Sequence, residues 1–195
     1  MNLPDRLRRA LADNPAPELL AGDRPELSGT GGGRPAAVLV AITDRAQPGV
    51  LLTQRTNSLR KHAGQIAFPG GSRDFGEDDV TAALREAHEE IGITPGSVNV
   101  IGPVDRYRTI TGFDVTPIVG VVPPDLVLTP QESEVADVFE APFDFLMDPE
   151  NQLLRTVHWE GRDRTYYEIP WNGRRIWGAT AAMLVNLSRR LQWPK

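Results

Sequence analysis

The chain has 195 residues, of which 40% are hydrophobic and 24% charged, and its formal net charge at pH 7 is −5. This length supplies one sizeable core and is short for two. The absence of cysteine excludes disulfides and thiolate metal sites, and the acidic balance argues against a broad nucleic-acid-binding face. No charged-then-apolar leader or long apolar span is apparent, so we expect a chain that works in the reducing cytoplasm without a membrane.

The N-terminal segment LPDRLRRALAD predicts a short amphipathic helix at residues 3–13, followed by an irregular connection rich in proline and glycine. We therefore divide the chain into an N-terminal helix and connection, residues 1–34, and a main domain, residues 35–195. The segments AAVLVAIT and GVLLTQR predict two strands joined by a turn in DRAQPG, and GQIAF predicts a third.

The next segment, FPGGSRDFGEDDVTAALREAHEEIGI, predicts a loop, a helix and a second loop. Asp78 and Asp79 suit the positive end of the helix dipole, and Gly92 lies where a left-handed C-cap is expected. Apolar residues at three-and-four spacing predict the buried face: Val80, Ala83, Leu84, Ala87 and Ile91.

Five further strands are predicted at VNVIGPVDRYRTI, VTPIVGVV, SEVADVFEAP, LLRTVHWE and RTYYEI, before a last helix at GATAAMLVNLSRRLQW. Strands outnumber helices, which predicts an α+β fold with helices packed on a mixed sheet.

Three glutamates crowd the predicted central helix at i, i+3 and i+4: Glu86, Glu89 and Glu90. Like-charge pairs at this spacing cost an isolated helix roughly 0.2–0.5 kcal/mol each. A bound divalent cation that prefers oxygen ligands would turn this penalty into a gain. The alternative is a solvated face held by ion pairs such as Arg85 with Glu89.

The residues around these glutamates fit the pattern G-x5-E-x7-R-E-U-x-E-E-x-G-U at seven fixed positions, Gly71, Glu77, Arg85, Glu86, Glu89, Glu90 and Gly92. Such a match arises by chance roughly once in 10^8 starting points. The segment resembles the Nudix box at full length. The resemblance implies an α/β/α sandwich with a mixed central sheet and a catalytic loop–helix–loop. It also implies a hydrolase that cleaves a nucleoside diphosphate linked to a group X, using Mg2+ or Mn2+.

The same resemblance implies a metal site. Glu86 and Glu90 would be the primary ligands, joined by Glu89 and by a close backbone carbonyl, that of Gly70. A carboxylate beside a hydrated Mg2+ is a suitable acceptor for the proton of the attacking water, and Glu89 is our candidate.

Two further expectations concern the surroundings of that site. The family implies that Arg85 pairs with Glu77 or Glu89 and so holds the helix against its loop. Because Nudix enzymes differ in the position of the general base, Glu132 and Glu134 in QESEV are alternatives to Glu89, unless they are exposed acids at a strand end.

A basic cluster lies just before the box, in LLTQRTNSLRKHAGQIAFPGG: Arg55, Arg60, Lys61 and His62. On charge alone, it is either a phosphate-binding group or a solvated strand end. The spacing resembles an additional motif of the coenzyme A diphosphatase branch, LLTxR followed by S or A, then x3-R-x3-G-x3-FPGG. Thr56 departs from it, with threonine in place of serine or alanine. The resemblance spans roughly residues 36–188.

This second resemblance implies hydrolysis of the diphosphate of coenzyme A or its derivatives to 3′,5′-ADP and (acyl-)4′-phosphopantetheine. Arg55, Arg60 and His62 are the candidate substrate-binding residues, with a side chain such as Arg55 or Arg60 at the 3′-phosphate. Another Nudix substrate is the nearest alternative: ADP-ribose, NADH or a nucleoside triphosphate. A nucleotide sensor and an isoprenoid diphosphate isomerase are weaker alternatives, because the chain lacks a basic DNA-binding segment and a cysteine.

The implied partner is a small nucleotide of the coenzyme A class, with no nucleic acid and no membrane. A homodimer is one option for the assembly state. Four aromatic residues could stack on an adenine, but they are more often core or interface residues: Tyr166, Tyr167, Trp171 and Trp177.

Overall fold

The computed structural model describes residues 2–13, 18–23, 32–56, 64–159 and 161–193. The helices in these ranges are α1 (Leu3–Asp13), α2 (Asp79–Ile91), α3 (Phe143–Met147) and α4 (Ala179–Leu191). The strands are β1 (Arg34–Thr43), β2 (Gly49–Arg55), β3 (Ile66–Ala67), β4 (Gly70–Ser72), β5 (Asn99–Pro103), β6 (Tyr107–Arg108), β7 (Phe113–Val122), β8 (Val135–Pro142), β9 (Leu153–Trp159), β10 (Arg162–Trp171) and β11 (Arg174–Trp177). No helix among them combines the length and apolar character needed to cross a bilayer.

Eight strands form one mixed sheet around β1. Strand β7 runs parallel to β1 over its whole length, while β2 and β4 pair with β1 in the antiparallel sense. Strands β5 and β6 pair with β7, and β3 and β8 pair with β2. The last three strands form a separate antiparallel sheet in the order β11, β10, β9. The mixed central sheet predicted from the sequence is therefore confirmed.

Helices cover the main sheet on both faces. Leu7 of α1 and Leu184 of α4 belong to the core on one face, together with Val40 of β1. Ala83 of α2 belongs to the core on the other face, together with Leu39 of β1. Because β1 is covered on both sides, successive side chains enter different cores, and its sequence is a continuous apolar run. The α/β/α sandwich is confirmed.

Both ends of α2 are capped as its sequence indicates. The side chain of Asp78 accepts a hydrogen bond from the N–H of Thr81 at 2.7 Å. Gly92 has φ of 77°, and its N–H donates to the carbonyl of His88 at 2.9 Å. A Cβ at Gly92 would overlap the hydroxyl of Thr129, so this position needs glycine for its space as well as its conformation.

Most of the predicted elements are confirmed, and β2 and α1 have the predicted bounds. Residues 70–72, which we predicted as loop, form β4 instead, because their backbone pairs with residues 36–38 of β1. The strand predicted through residues 98–110 is interrupted between β5 and β6. The sequence did not predict α3 or β11.

The described part of the N-terminal connection is fastened to the main domain. The side chain of Asn186, 3% exposed on α4, donates to the carbonyl of Leu20 and accepts from its N–H, both at 2.8 Å. Asp23 accepts hydrogen bonds from the hydroxyl of Tyr107 and from the N–H of Ile110, both at 2.6 Å. This segment therefore packs as part of the fold.

Replacing Asn186 by leucine should destabilise the protein by about 2 kcal/mol or more, because the backbone N–H and C=O of Leu20 would both lose their partner. Urea unfolding followed by circular dichroism measures the change. Asn99→Ala, which removes an exposed contact with Arg8, is the control and should change stability by less than about 0.5 kcal/mol. Equal stabilities of the two variants would contradict the prediction.

Candidate active site

Helix α2 places its three clustered glutamates in different surroundings. Ala87 and Ile91 are fully buried against the main sheet, which fixes the rotation of the helix. The side chain of Glu90 is 8% exposed and that of Glu86 is 19% exposed, whereas Glu89 is 57% exposed. The predicted cluster therefore separates into an inward-facing pair, Glu86 and Glu90, and an outward-facing Glu89.

Arg85 connects this helix to the loop before it. Its Nε and Nη2 donate to the two oxygens of Glu77 at 2.8 and 3.1 Å. Its Nη1 donates to Glu86 at 2.9 Å and to Glu89 at 3.1 Å, and Nη2 also donates to the carbonyl of Ser72 at 3.1 Å. The five N–H groups of a guanidinium are thereby all used. The sequence predicted pairing with Glu77 or Glu89, and the structure shows both.

Two glycines of β4 make room for the inward-facing carboxylates. The N–H of Gly70 donates to Oε2 of Glu90 at 3.1 Å. A Cβ at Gly70 would lie 2.5 Å from the carbonyl oxygen of Ala37, and a Cβ at Gly71 would lie 2.5 Å from the carboxyl carbon of Glu86. Any larger residue would therefore displace β1 or the glutamate.

Arg55, the last residue of β2, points toward the same carboxylates. The pairing between β2 and β8 passes from Gln54 with Asp137 to Arg55 with Val135, so the extra residue at this irregularity is Ala136 of β8. Nη1 of Arg55 lies 3.9 Å from Oε1 of Glu90. The other members of the predicted basic cluster lie outside the described residues: Arg60, Lys61 and His62.

The loop before β8 brings a further carboxylate to this region. The N–H of Gln131 donates to the carbonyl of Glu90 at 2.8 Å, and the N–H of Glu134 donates to the carbonyl of Gln131 at 2.9 Å. The carbonyl of Glu134 in turn accepts from the N–H of Thr56 at 2.9 Å. These bonds hold Glu134 near the site, where its charge raises the pKa of both Glu86 and Glu90. Glu132 is exposed.

The inward-facing carboxyls are shifted toward their protonated forms. Burial raises the pKa of Glu90 to about 7, and the charges of Glu86 and Glu134 act in the same direction. The Gly70 N–H and the charge of Arg55 oppose this shift. Burial also raises the pKa of Glu86, against the opposing effect of its neighbouring arginine. A cation placed beside these two carboxyls would lower both pKa values and favour the ionised forms.

These carboxyls fit a hard divalent cation whose coordination is completed by other oxygens. Mg2+ binds through one or two carboxylates together with water and substrate phosphates. Glu86 and Glu90 supply such a pair, and the Gly71 position leaves the space beside Glu86 free of a side chain. Among the described residues, no three acids or histidines lie close enough to hold a metal ion by themselves. The carboxylates thus provide part of a site.

Three of the aromatic residues considered for stacking on an adenine contact other aromatic side chains. The ring of Trp171 stacks on Phe139 with centroids 5.7 Å apart, and Tyr166 meets Trp177 edge to face at 6.0 Å. These aromatic residues of the three-stranded sheet pack on other aromatic side chains, as expected for core or interface residues.

Two contacts of the site had no signal in the sequence. The carbonyl of Ser72 receives a hydrogen bond from Arg85, and the N–H of Thr56 holds the carbonyl of Glu134. Both involve backbone oxygens, which every residue type carries. These backbone groups enter the site because β4 packs beside α2, and because the loop before β8 lies against the ends of α2 and β2.

Comparison with known proteins agrees with this geometry. Residues 33–167 match the model of the NUDIX domain. The chain is 42% identical over 170 residues to the uncharacterized Nudix hydrolase NudL of Citrobacter koseri, covering 86% of this chain and 88% of the relative. It is 43% identical over 159 residues to the uncharacterized NudL of Klebsiella pneumoniae subsp. pneumoniae, covering 81% of this chain and 83% of the relative.

The fold is also similar to a solved structure, that of the Nudix hydrolase RenU from M. smegmatis. The TM-score is 0.50 with 27% sequence identity, and the match covers 58% of this chain and 73% of that chain. The family model, the sequence relatives and the fold all indicate the same family as the Nudix box residues that contact Arg85. The chain therefore belongs to the Nudix family and is a hydrolase that acts on diphosphate bonds of the nucleoside diphosphate-X type.

Proposed function

We propose that the protein hydrolyses the central diphosphate of coenzyme A or its derivatives to 3′,5′-ADP and (acyl-)4′-phosphopantetheine, with residues 35–195 as the catalytic domain. One observation carries the proposal: the two ends of the additional motif, residues 51–71, both lie beside Glu90 of α2. At one end Arg55 lies 3.9 Å from Glu90, and at the other Gly70 donates to the same carboxylate at 3.1 Å. Arg60 and His62 belong to the part of the motif between these two ends that lies outside the described residues, and we propose that they contact the substrate.

Glu86 and Glu90 would hold Mg2+ or Mn2+, with Glu89 and the carbonyl of Gly70 as additional ligands. When bound, the cation would neutralise charge on the diphosphate oxygens and favour deprotonation of the attacking water. The raised pKa values of both inward-facing carboxyls support this assignment, because a buried carboxylate that lacks a cation is stabilised when one arrives.

Arg85 would contribute by position. Its five hydrogen bonds join α2 to Glu77 and to Ser72 of β4, and so fix the distance between the helix and the glycines. Since its donors are already used within the protein, we assign it to orienting Glu86 and Glu89.

Two acids compete for the role of proton acceptor. Glu89 has the position that the Nudix resemblance implies, and it is 57% exposed and bonded to Arg85 at 3.1 Å. Glu134 is supported by a different observation, since its charge acts on both Glu86 and Glu90. A base must reach the water that attacks phosphorus, and either acid reaches the side of the site that faces solvent.

The predicted location, the cytoplasm, rests on the composition. The substrate class implies a small nucleotide partner, and a homodimer stays one option for the assembly.

Glu86→Gln and Glu90→Gln should each lower kcat at least about a hundredfold, because each removes a metal ligand while preserving side-chain shape. Mn2+ should raise the melting temperature of the wild-type protein and should raise that of either variant much less. Glu150→Gln, at an exposed position in a 3-10 turn, is the control and should behave as wild type. Near-normal activity in both variants would refute the metal site.

The general base is identified by Glu89→Gln and Glu134→Gln. The variant that lacks the base should lose roughly a hundredfold or more in kcat, and its rate should no longer fall on the acidic side of the pH profile. Mn2+ should raise the melting temperature of Glu134→Gln as much as that of the wild type, whereas a smaller increase in Glu89→Gln would assign Glu89 to the metal as a ligand. If neither variant changes the acidic side of the profile, neither acid is the base.

The substrate is tested by comparing coenzyme A with dephospho-coenzyme A, followed by separation of the products. A charge-assisted contact to the 3′-phosphate contributes about 1.5–3 kcal/mol, so its absence should lower kcat/KM roughly 10- to 150-fold. Arg60→Ala should reduce this discrimination. Cleavage of ADP-ribose, NADH or a nucleoside triphosphate, with none of coenzyme A, would instead favour the alternative Nudix substrates.

A further inference from the structure

Two arginines approach the inward-facing carboxylates, and they differ in how their donors are used. Arg85 is saturated, with five hydrogen bonds to three glutamates and a carbonyl. Arg55 makes no side-chain hydrogen bond to any residue that the structure describes, and its buried Nε has no acceptor there. A buried N–H group without an acceptor is costly, and no residue that the structure describes takes up the side-chain donors of Arg55, which leaves them for another acceptor.

The distance to Glu90 indicates the present role of Arg55. A separation of 3.9 Å between Nη1 and Oε1 is too long for a hydrogen bond and allows an attraction between charges. Oε2 of Glu90 is occupied by the Gly70 N–H at 3.1 Å. The side chain of Arg55 is 30% exposed, so it is also open on the solvent side. The guanidinium thus balances the charge of Glu90 without being locked to it.

We propose that Arg55 changes partner during the reaction cycle: it is the counter-ion of Glu90 in the metal-free protein and binds the scissile diphosphate once Glu90 holds a cation. The inference rests on the proposed function and assigns Arg55 to the diphosphate instead of the 3′-phosphate considered from the sequence. The ribose separates those two groups, and a guanidinium beside Glu90 lies at the carboxylate site.

The exchange follows from charge balance. A cation held by Glu86 and Glu90 repels the guanidinium that lies 3.9 Å from Glu90, because both groups are positively charged. A diphosphate offers several acceptor oxygens and suits the planar, forked donors of arginine. Arg55 therefore opposes the metal when it binds alone and favours the nucleotide when both are present. These opposite effects distinguish it from a residue that only supports the fold.

The first measurement is calorimetric titration of Mn2+ into the protein without nucleotide. Arg55→Ala should bind Mn2+ roughly three- to tenfold more tightly than wild type, because the repulsion is removed. Arg55→Lys keeps the charge and should bind Mn2+ as wild type does. Arg45→Ala is the matched control, since Arg45, in the turn after β1, is also paired with a glutamate, Glu140, at 3.2 Å. It should leave Mn2+ binding unchanged.

The second measurement titrates methylenediphosphonate, a diphosphate that cannot be hydrolysed, in the presence of saturating Mg2+. Arg55→Ala should weaken its binding roughly ten- to a hundredfold, and Arg55→Lys should weaken it less, because lysine keeps the charge without the fork. Melting temperatures of both variants establish that they are folded. Should Arg55→Ala fail to fold, Arg55→Lys still tests the diphosphate contact.

Tighter Mn2+ binding together with weaker diphosphonate binding in Arg55→Ala supports the inference. Weaker Mn2+ binding, unchanged diphosphonate binding, or no diphosphonate binding by the wild-type protein overturns it. Neither titration requires turnover, so these outcomes differ from failure of the proposed function, which appears as intact coenzyme A after incubation with the wild-type enzyme.

Discussion

The five hydrogen bonds of Arg85 are the interactions on which the site depends. Three glutamates within five residues of α2, and Glu77 in the loop before it, would repel one another if they were left to solvent. One guanidinium bonds Glu77, Glu86 and Glu89 and also fastens the helix to the carbonyl of Ser72. Carboxylates are thereby concentrated at one edge of the sheet without unfolding the helix that carries them.

Burial provides the second part of the site. Glu90 and Glu86 face inward because Ala87 and Ile91 of the same helix pack into the core. Their carboxyls lose hydration, and the pKa of Glu90 rises to about 7. The fold therefore holds two carboxyls in surroundings where added positive charge favours their ionised forms. The packing of α2 against the sheet creates these surroundings.

The ends of several elements meet around these carboxylates. Strand β2 ends at Arg55 after a shift in register, β4 begins with Gly70, and the loop before β8 brings Glu134 to the C-terminal end of α2. Each segment supplies one charge or one N–H group. The regular elements position them. Arg85, beside Glu86, is saturated by protein groups, whereas Arg55, beside Glu90, makes no side-chain hydrogen bond within the part of the chain that the structure describes.

The sequence by itself determined the helical face of α2 and its two caps, because these depend on residues three or four apart. It also determined the pattern of the Nudix box, because all of its residues lie in one continuous segment, residues 71–93. It also determined β1 and β2, whose apolar runs are continuous. The tertiary structure alone decided that residues 70–72 form a strand, since glycine has no intrinsic preference for one and β4 exists by pairing with β1. It likewise decided how deeply Glu86 and Glu90 are buried and that Arg55 makes no side-chain hydrogen bond to the residues that the structure describes. Burial and hydrogen-bond saturation depend on segments that are distant in the chain and meet only when the sheet has formed.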